Sequence, residues 1–303
     1  MSKKTRLFES ILMLLLAVAV GSATVEAKES VERTLSAPPD VQISIENLSG
    51  SVRVEGWERA EIRVEAVLGG DTEGLEVEAD GGEVRIEVEI PDTSRRRGRW
   101  DLESDLKIWA PAGASLDIET VSASIEVTGI DGELDIESVS GSIEATGGSQ
   151  RADLSTVSGN IDFTGRGAGV DAESVSGKVR LRGVAGYVDA STVSGRIDVE
   201  AGGVERADFE SVSGSIEFRG LLAQGARLDA SSHSGNVELM LPADTRANFE
   251  IETFAGDIHS DFGGEARRTS RYAPGRELYH STGDAAEITV ETFSGSVYLV
   301  KKK

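Results

Sequence analysis

The sequence predicts an all-β fold: a single-stranded β-solenoid, or β-helix, with a dominant rung of about 18 residues and no assigned handedness. Three observations lead there. One block recurs down the chain at a near-constant step. Inside each block apolar and polar residues alternate, which is the period-two signature of a strand. The composition fits short apolar strands joined by tight turns, with 35 Gly against 6 Pro, aromatics at 5% and hydrophobic residues at 39%.

The first element lies outside the fold. Lys3, Lys4 and Arg6 precede an apolar run at 11–20 (ILMLLLAVAV) and then small residues. This is the pattern of a secretory signal at 1–27, with cleavage after Val25-Glu26-Ala27, or after Gly21-Ser22-Ala23 as the rival. The run is shorter than the ~20 residues a spanning helix needs; the alternative is an uncleaved anchor. Residues 28–40 form a polar lead ending at Pro38-Pro39. Residues 41–110 hold alternating strands at 61–67, 75–79 and 83–90 without a strict period, expected as irregular opening rungs that cap the stack.

The regular repeat occupies 111–303, interrupted by an insertion at 260–284. Its marker is a serine at Ser122, Ser140, Ser158, Ser176, Ser194, Ser213 and Ser234, then Ala255, at steps of 18 four times, then 19, 21 and 21. An early copy lies at 43–54 (ISIENLSGSVRV), and a last copy at 288–299 (ITVETFSGSVYL) is expected to close the stack. Each unit is two short strands around a Ser-Gly turn, where Gly would supply a positive φ. One unit cannot bury its apolar face; stacked copies can. Three rivals fail. A hexapeptide β-helix needs an aliphatic residue every sixth position, but Val121 and Val127 are followed by Glu133. Gly147-Gly148-Ser149-Gln150 does not match a calcium-binding nonapeptide roll. The strands are too short and too poor in aromatics for a membrane barrel.

Four segments resemble the bacterial putative-adhesin family of β-strand-repeat domains of unknown function. They are Leu48-Ser49-Gly50-Ser51-Val52, Ala110-Pro111-Ala112-Gly113, Leu241-Pro242-Ala243-Asp244 with Glu252-Thr253-Phe254-Ala255-Gly256, and Glu291-Thr292-Phe293-Ser294-Gly295. The resemblance covers roughly 40–300. It implies a β-repeat fold and a role in adhesion, and it carries over no functional residue.

Reading down the columns separates core from surface. Leu116, Leu134, Ala152, Val170, Val188, Ala207, Leu228, Phe249 and Ile288 form one apolar column; Ile125, Ile143, Ile161, Val179, Ile197, Ile216, Val237, Ile258 and Val297 form another. Thr120, Ser138, Thr156, Ser174, Thr192, Ser211, Ser232, Thr253 and Thr292 are expected to point inward and bond along the stack. Asp117, Asp135, Asp153, Asp171, Asp189, Asp208 and Asp229 form an acidic column, read as a solvated face, with collection of Ca²⁺ as the sharper alternative. The next column, Val121, Val139, Val157, Val175, Val193 and Val212, then His233, Phe254 and Phe293, is expected to turn inward at the bend; the alternative is an exposed apolar stripe.

The net charge of −22 excludes nucleic acid as a partner. With no Cys, disulfides and thiol chemistry are excluded. His233 is read as structural; His259 and His280 with Asp261 or Asp284 lack a recognised metal spacing. A carbohydrate lyase would want a lone cation in a groove, and Lys178, Arg180 and Arg182, with Arg166 and Arg196 nearby, are the only cationic patch in the regular rungs. Arg95, Arg96, Arg97 and Arg99, and Arg267, Arg268, Arg271 and Arg276, read as loops, with anionic polymers or a second copy as alternative contacts. The expectation is a non-catalytic, exported cell-envelope scaffold or adhesin, periplasmic or at the cell surface, with no catalytic, cofactor or metal residue assigned. The alternative is a carbohydrate-active β-helix enzyme. Its partner would be an envelope protein or polysaccharide, self-association is allowed, and no membrane span remains after signal cleavage.

Overall fold

The structure is a computed structural model that describes residues 29–91, 100–148, 150–167, 169–270 and 274–302. Residues 1–27, expected as a secretory signal, the arginines at 95–99 and Arg271 lie outside the described residues. Among those described, every regular element is a β-strand.

The strand Ser115–Ile130 shows how one unit is built. Leu116, Ile118 and Thr120 face inward, as do Ala123, Ile125 and Val127, while Asp117, Glu119, Val121 and Ser122 face outward. Alternation therefore holds through Val121, and the chain bends one residue later, so that two consecutive side chains point to solvent. This overturns the expectation for the valine column. Val121, Val139, Val157, Val175, Val193 and Val212 are 44–48% exposed. Both apolar columns are buried as expected, and so are all nine hydroxyls of the Thr120 column.

Those hydroxyls hold the bend. Ser174 Oγ accepts a hydrogen bond from Gly177 N at 2.8 Å and donates to Gly159 O of the rung before it at 3.1 Å. Thr156 and Thr192 repeat both contacts. Each of these three hydroxyls thus satisfies one buried donor within its own turn and one acceptor in the preceding rung. The turn glycine has a different role from the one expected. Gly141, Gly159, Gly177 and Gly195 do not have positive φ. A Cβ on Gly177 would instead lie 1.6 Å from Gly159 O. Close approach of successive turns, not a left-handed backbone, demands glycine here.

Rungs stack in parallel and in register. Leu116 pairs with Leu134, Leu134 with Ala152, Ala152 with Val170, and so on through Val188, Ala207 and Leu228. The second strands do the same from Ile125 to Val237. Neighbouring rungs are ~4.8 Å apart. Volume is balanced within rungs: Ala207 sits in the rung that carries the packed pair Phe209 and Phe218, with ring centroids 5.7 Å apart.

Both ends depart from one uninterrupted winding, so the fold is solenoid-like rather than a simple coil. The early copy pairs with 115–128 on one side and with Glu83–Glu89 and Glu103–Pro111 on the other. The last copy does not close the stack. Ala286–Thr292 lies between the 226–232 and 248–253 strands, and Val297–Lys302 lies between Val237–Pro242 and Ile258–Ser260. The final sequence copy is therefore the second rung from its end. Antiparallel strands cover the outer faces: Glu61–Leu68 and Gly74–Asp80 at one end, and Arg276–Ser281, from the 260–284 insertion, at the other.

Candidate functional site

The outward valines form the floor of a groove of about 970 Å³. It crosses the strands and runs from Asn47 and Leu48, through the six valines, to His233. Its walls carry Glu46, Glu87, Glu119, Glu137, Glu173 and Glu210, and no Lys or Arg lines it among the described residues. Burial and then the neighbouring Asp117 push the Glu119 carboxyl above its usual range. Beyond His233 the floor becomes aromatic. His233 stacks on Phe293 at 5.0 Å and Phe293 on Phe254 at 4.8 Å, with nearly parallel rings. In space the column reads Val212, His233, Phe293, Phe254, because the last copy is intercalated.

The carboxylate wall has an order that the 18-residue reading missed. In register it runs Glu119, Glu137, Ser155, Glu173, Ser191, Glu210, Ser231. From Glu137 onward a glutamate recurs at every second rung. The hydroxyl column alternates with it: Ser138, Thr156, Ser174, Thr192, Ser211. From Glu137 to Glu210 the unit is thus a pair of rungs, at steps of 36 and 37 residues in the sequence, whereas Glu87, Glu46, Glu119 and Glu137 before it stand at consecutive rungs.

The aspartates lie on the same outer face. Asp117 to Asp229 stand directly opposite one another in seven successive rungs. Like charges so placed repel. Two devices relieve this. Arg151 and Arg227 bond to Asp153 and Asp229 at 2.9 and 2.6 Å. At Asp135, Asp171, Asp189 and Asp208 the carboxyl holds its proton more tightly. Burial, then Asp171 and Asp208, pushes Asp189 up to about 6. Asp135, Asp171 and Asp208 are also raised, burial again being the largest cause. Among the described residues no group of three or more His, Cys, Asp or Glu converges to hold a metal.

The other residues considered from the sequence are held in local structure. Arg180 and Arg182 both bond to Asp162, at 2.7 and 2.8 Å, and Lys178 lies 3.6 Å from Asp198. All three belong to the second-strand face, away from the valine groove. His259 stacks on Tyr298 at 5.1 Å, and Asp261 accepts a bond from Lys301 N. Arg267 and Arg268 are exposed on the capping hairpin, and Arg276 pairs with Asp257 at 3.0 Å. Among the described residues no helix is long and apolar enough to cross a membrane.

A family model described as Toastrack DUF4097 matches residues 40–299. The chain belongs to the Toastrack DUF4097 family. The family match spans the stack, both interleaved ends and the caps. A solved structure described as a putative adhesin from Parabacteroides merdae ATCC 43184 shares 12% identity and a TM-score of 0.50, over 90% of this chain and 97% of that one. Two structures from Parabacteroides distasonis ATCC 8503 each give a TM-score of 0.49. One is described as a putative adhesin, with 10% identity over 90% and 98% of the chains. The other is described as a putative lipid binding protein, with 14% identity over 90% and 97%. No curated protein matches the chain. At these identities the likeness is one of fold; what this Toastrack protein does has to be argued from its own groove.

Proposed function

We propose that this Toastrack protein is a non-catalytic, exported scaffold of the cell envelope, and that it binds its partner along the valine groove. One observation carries the reading: six exposed valines stand in consecutive rungs across the middle of the stack, flanked by carboxylates. A contiguous apolar strip of this kind is expensive to leave in water and marks a contact surface. The groove hydroxyls of the Thr120 column are committed to turn hydrogen bonds, and the same set recurs rung after rung, which suits a long contact better than one reacting centre. The cations that a lyase would need are paired to Asp162 and Asp198 on another face. Adhesion is the role consistent with the putative-adhesin descriptions of the solved structures. A single winding with two-rung units is the simplest description of its middle section.

The test uses the full-length chain in its native cell, as wild type and as a Val157→Asp, Val175→Asp variant, followed by fractionation. Wild type should be exported and retained with the envelope, and the variant should be released while melting as wild type does. Cytoplasmic location, or equal retention of a folded variant, would overturn the proposal.

A further inference from the structure

Resting on the groove reading, we infer that the occupant is an extended cationic polypeptide in the polyproline II conformation, with Lys or Arg at every third residue. The charge argument comes first. The walls carry six carboxylates and no cation among the described residues, so an anionic ligand, including an acidic lipid headgroup, is repelled. A second copy laid groove to groove would set these carboxylates against their equivalents.

Spacing selects among cationic partners. Glu137, Glu173 and Glu210 recur at every second rung, or about 9.6 Å at ~4.8 Å per rung. A polyproline II helix rises ~3.1 Å per residue, so its every third side chain repeats at ~9.3 Å on one face. Across the three glutamates the slip is only ~0.6 Å. An α-helix repeats a face after seven residues, or ~10.5 Å, and slips about three times as far. A β-strand presents every second residue on one face, at ~6.6 Å, and its third residue points away.

The shape agrees. Glu137 and Val139 lie two residues apart on one outward strand face, so the carboxylate and valine columns run side by side. A three-sided helix can set one edge of cations on the carboxylates and a second edge of prolyl rings on the valines. Its third edge and its solvated backbone remain in water, as an open groove requires. The groove strands are already paired with neighbours on both sides, so they have no free edge for an added strand. From the Asn47 rung to the His233 rung is seven steps, ~34 Å, which about eleven polyproline II residues would span.

The experiment uses the purified full-length chain and fluorescent peptides of about 12 residues. Repeats of Pro-Pro-Lys should bind, and repeats of Pro-Pro-Glu should not. A helical amphipathic peptide with equal Lys content should bind at least tenfold more weakly. The exposed triple variant Glu137→Gln, Glu173→Gln, Glu210→Gln should melt as wild type does and lose at least tenfold in Pro-Pro-Lys affinity. Absence of Pro-Pro-Lys binding, equal binding of the helical peptide, or tighter binding of a fluorescent fatty acid would overturn the inference. If any of these occurs while the Val157→Asp, Val175→Asp variant is still released from the envelope, the groove stands as the contact surface and only its occupant is wrong.

Discussion

Replacing Gly177 by Ala should open the stack at one turn. The added methyl would sit 1.6 Å from Gly159 O, 2.5 Å from its carbonyl carbon and 2.7 Å from Ser174 Oγ. Ordinary contact begins near 3.4 Å, so the turns must separate by more than 1 Å. The neighbour is backbone, which has no rotamer to yield. Three hydrogen bonds depend on that approach: Gly177 N to Ser174 Oγ, Ser174 Oγ to Gly159 O, and Ser176 N to Val157 O at 2.9 Å. Losing two or three at about 1 kcal/mol each, plus about 1–3 kcal/mol of overpacking strain, gives roughly 3–6 kcal/mol. That corresponds to a fall in Tm on the order of 10 °C for a chain of this size. Gly202→Ala is the matched control, since a Cβ there meets nothing and its φ is not positive. Both variants are followed by thermal and urea denaturation, with amide exchange to locate the opening. A Gly177→Ala protein that melts within 2 °C of the Gly202→Ala protein would refute close approach as the reason for the glycine column. The one regular rung with a methyl there supports the reasoning: Ala123 pairs with Gly50, which takes an unusual φ of 107°.

Asp189 should make stability depend on pH. Its carboxyl binds a proton more tightly in the fold, at about 6 against an ordinary 3.8, so the fold holds more protons than the unfolded chain between those values. Stability should therefore decline as pH rises from about 4 to about 6, and Asp189→Asn should recover the loss at pH 8 and change little at pH 4. Because the carboxyl, though crowded by its neighbours, stays open to solvent on the outer face, screening limits the effect to on the order of 1 kcal/mol, readable by denaturation at the two pH values. Thr156→Val removes the acceptor for Gly159 N and the donor to Gly141 O and should cost about 1–3 kcal/mol. Thr156→Ser, the residue of adjoining rungs, should be close to neutral in the same melt. Leu154→Ala, in the buried core, should cost about 2–5 kcal/mol, whereas Val157→Asp three residues later should shift stability by less than about 0.5 kcal/mol. Equal losses would contradict the outward placement of the valines.

The columns were legible because each side chain repeats in register, so the phase of Leu116, Thr120 and Ile125 could be read directly from the spacing. The valines were misplaced because the position of the bend was not encoded in hydrophobicity. It is set by a hydrogen bond from the turn glycine to the residue before the valine, which in the Gly177 turn fixes Ser174 inside and leaves Val175 out. The glycine itself was recognised, but its reason was not, since crowding between turns depends on a neighbour 18 residues away. The interleaved ends were hidden for a related cause. The copies at 228–239, 249–260 and 288–299 present similar columns, and any two of them could pair. Only the 25-residue insertion, whose strand Arg276–Ser281 occupies the outer side of Asn248–Thr253, decides which edge stays open for the last copy. The alternating glutamates of the groove wall were present in the sequence and became meaningful only once register placed them on a single face.

The intercalated last copy also sets the order in which the molecule can be finished. Residues 248–260 leave the ribosome before residues 286–302, yet the later segment must stand between them and the 226–242 rung. Until residues 286–302 are available, two parallel strand edges face each other across an empty slot. A nascent or truncated chain therefore carries unpaired edges of the kind that recruit other chains. The slot closes only when residues 286–302 enter it, so a chain cut before residue 286 is a sticky protein rather than a slightly shorter one.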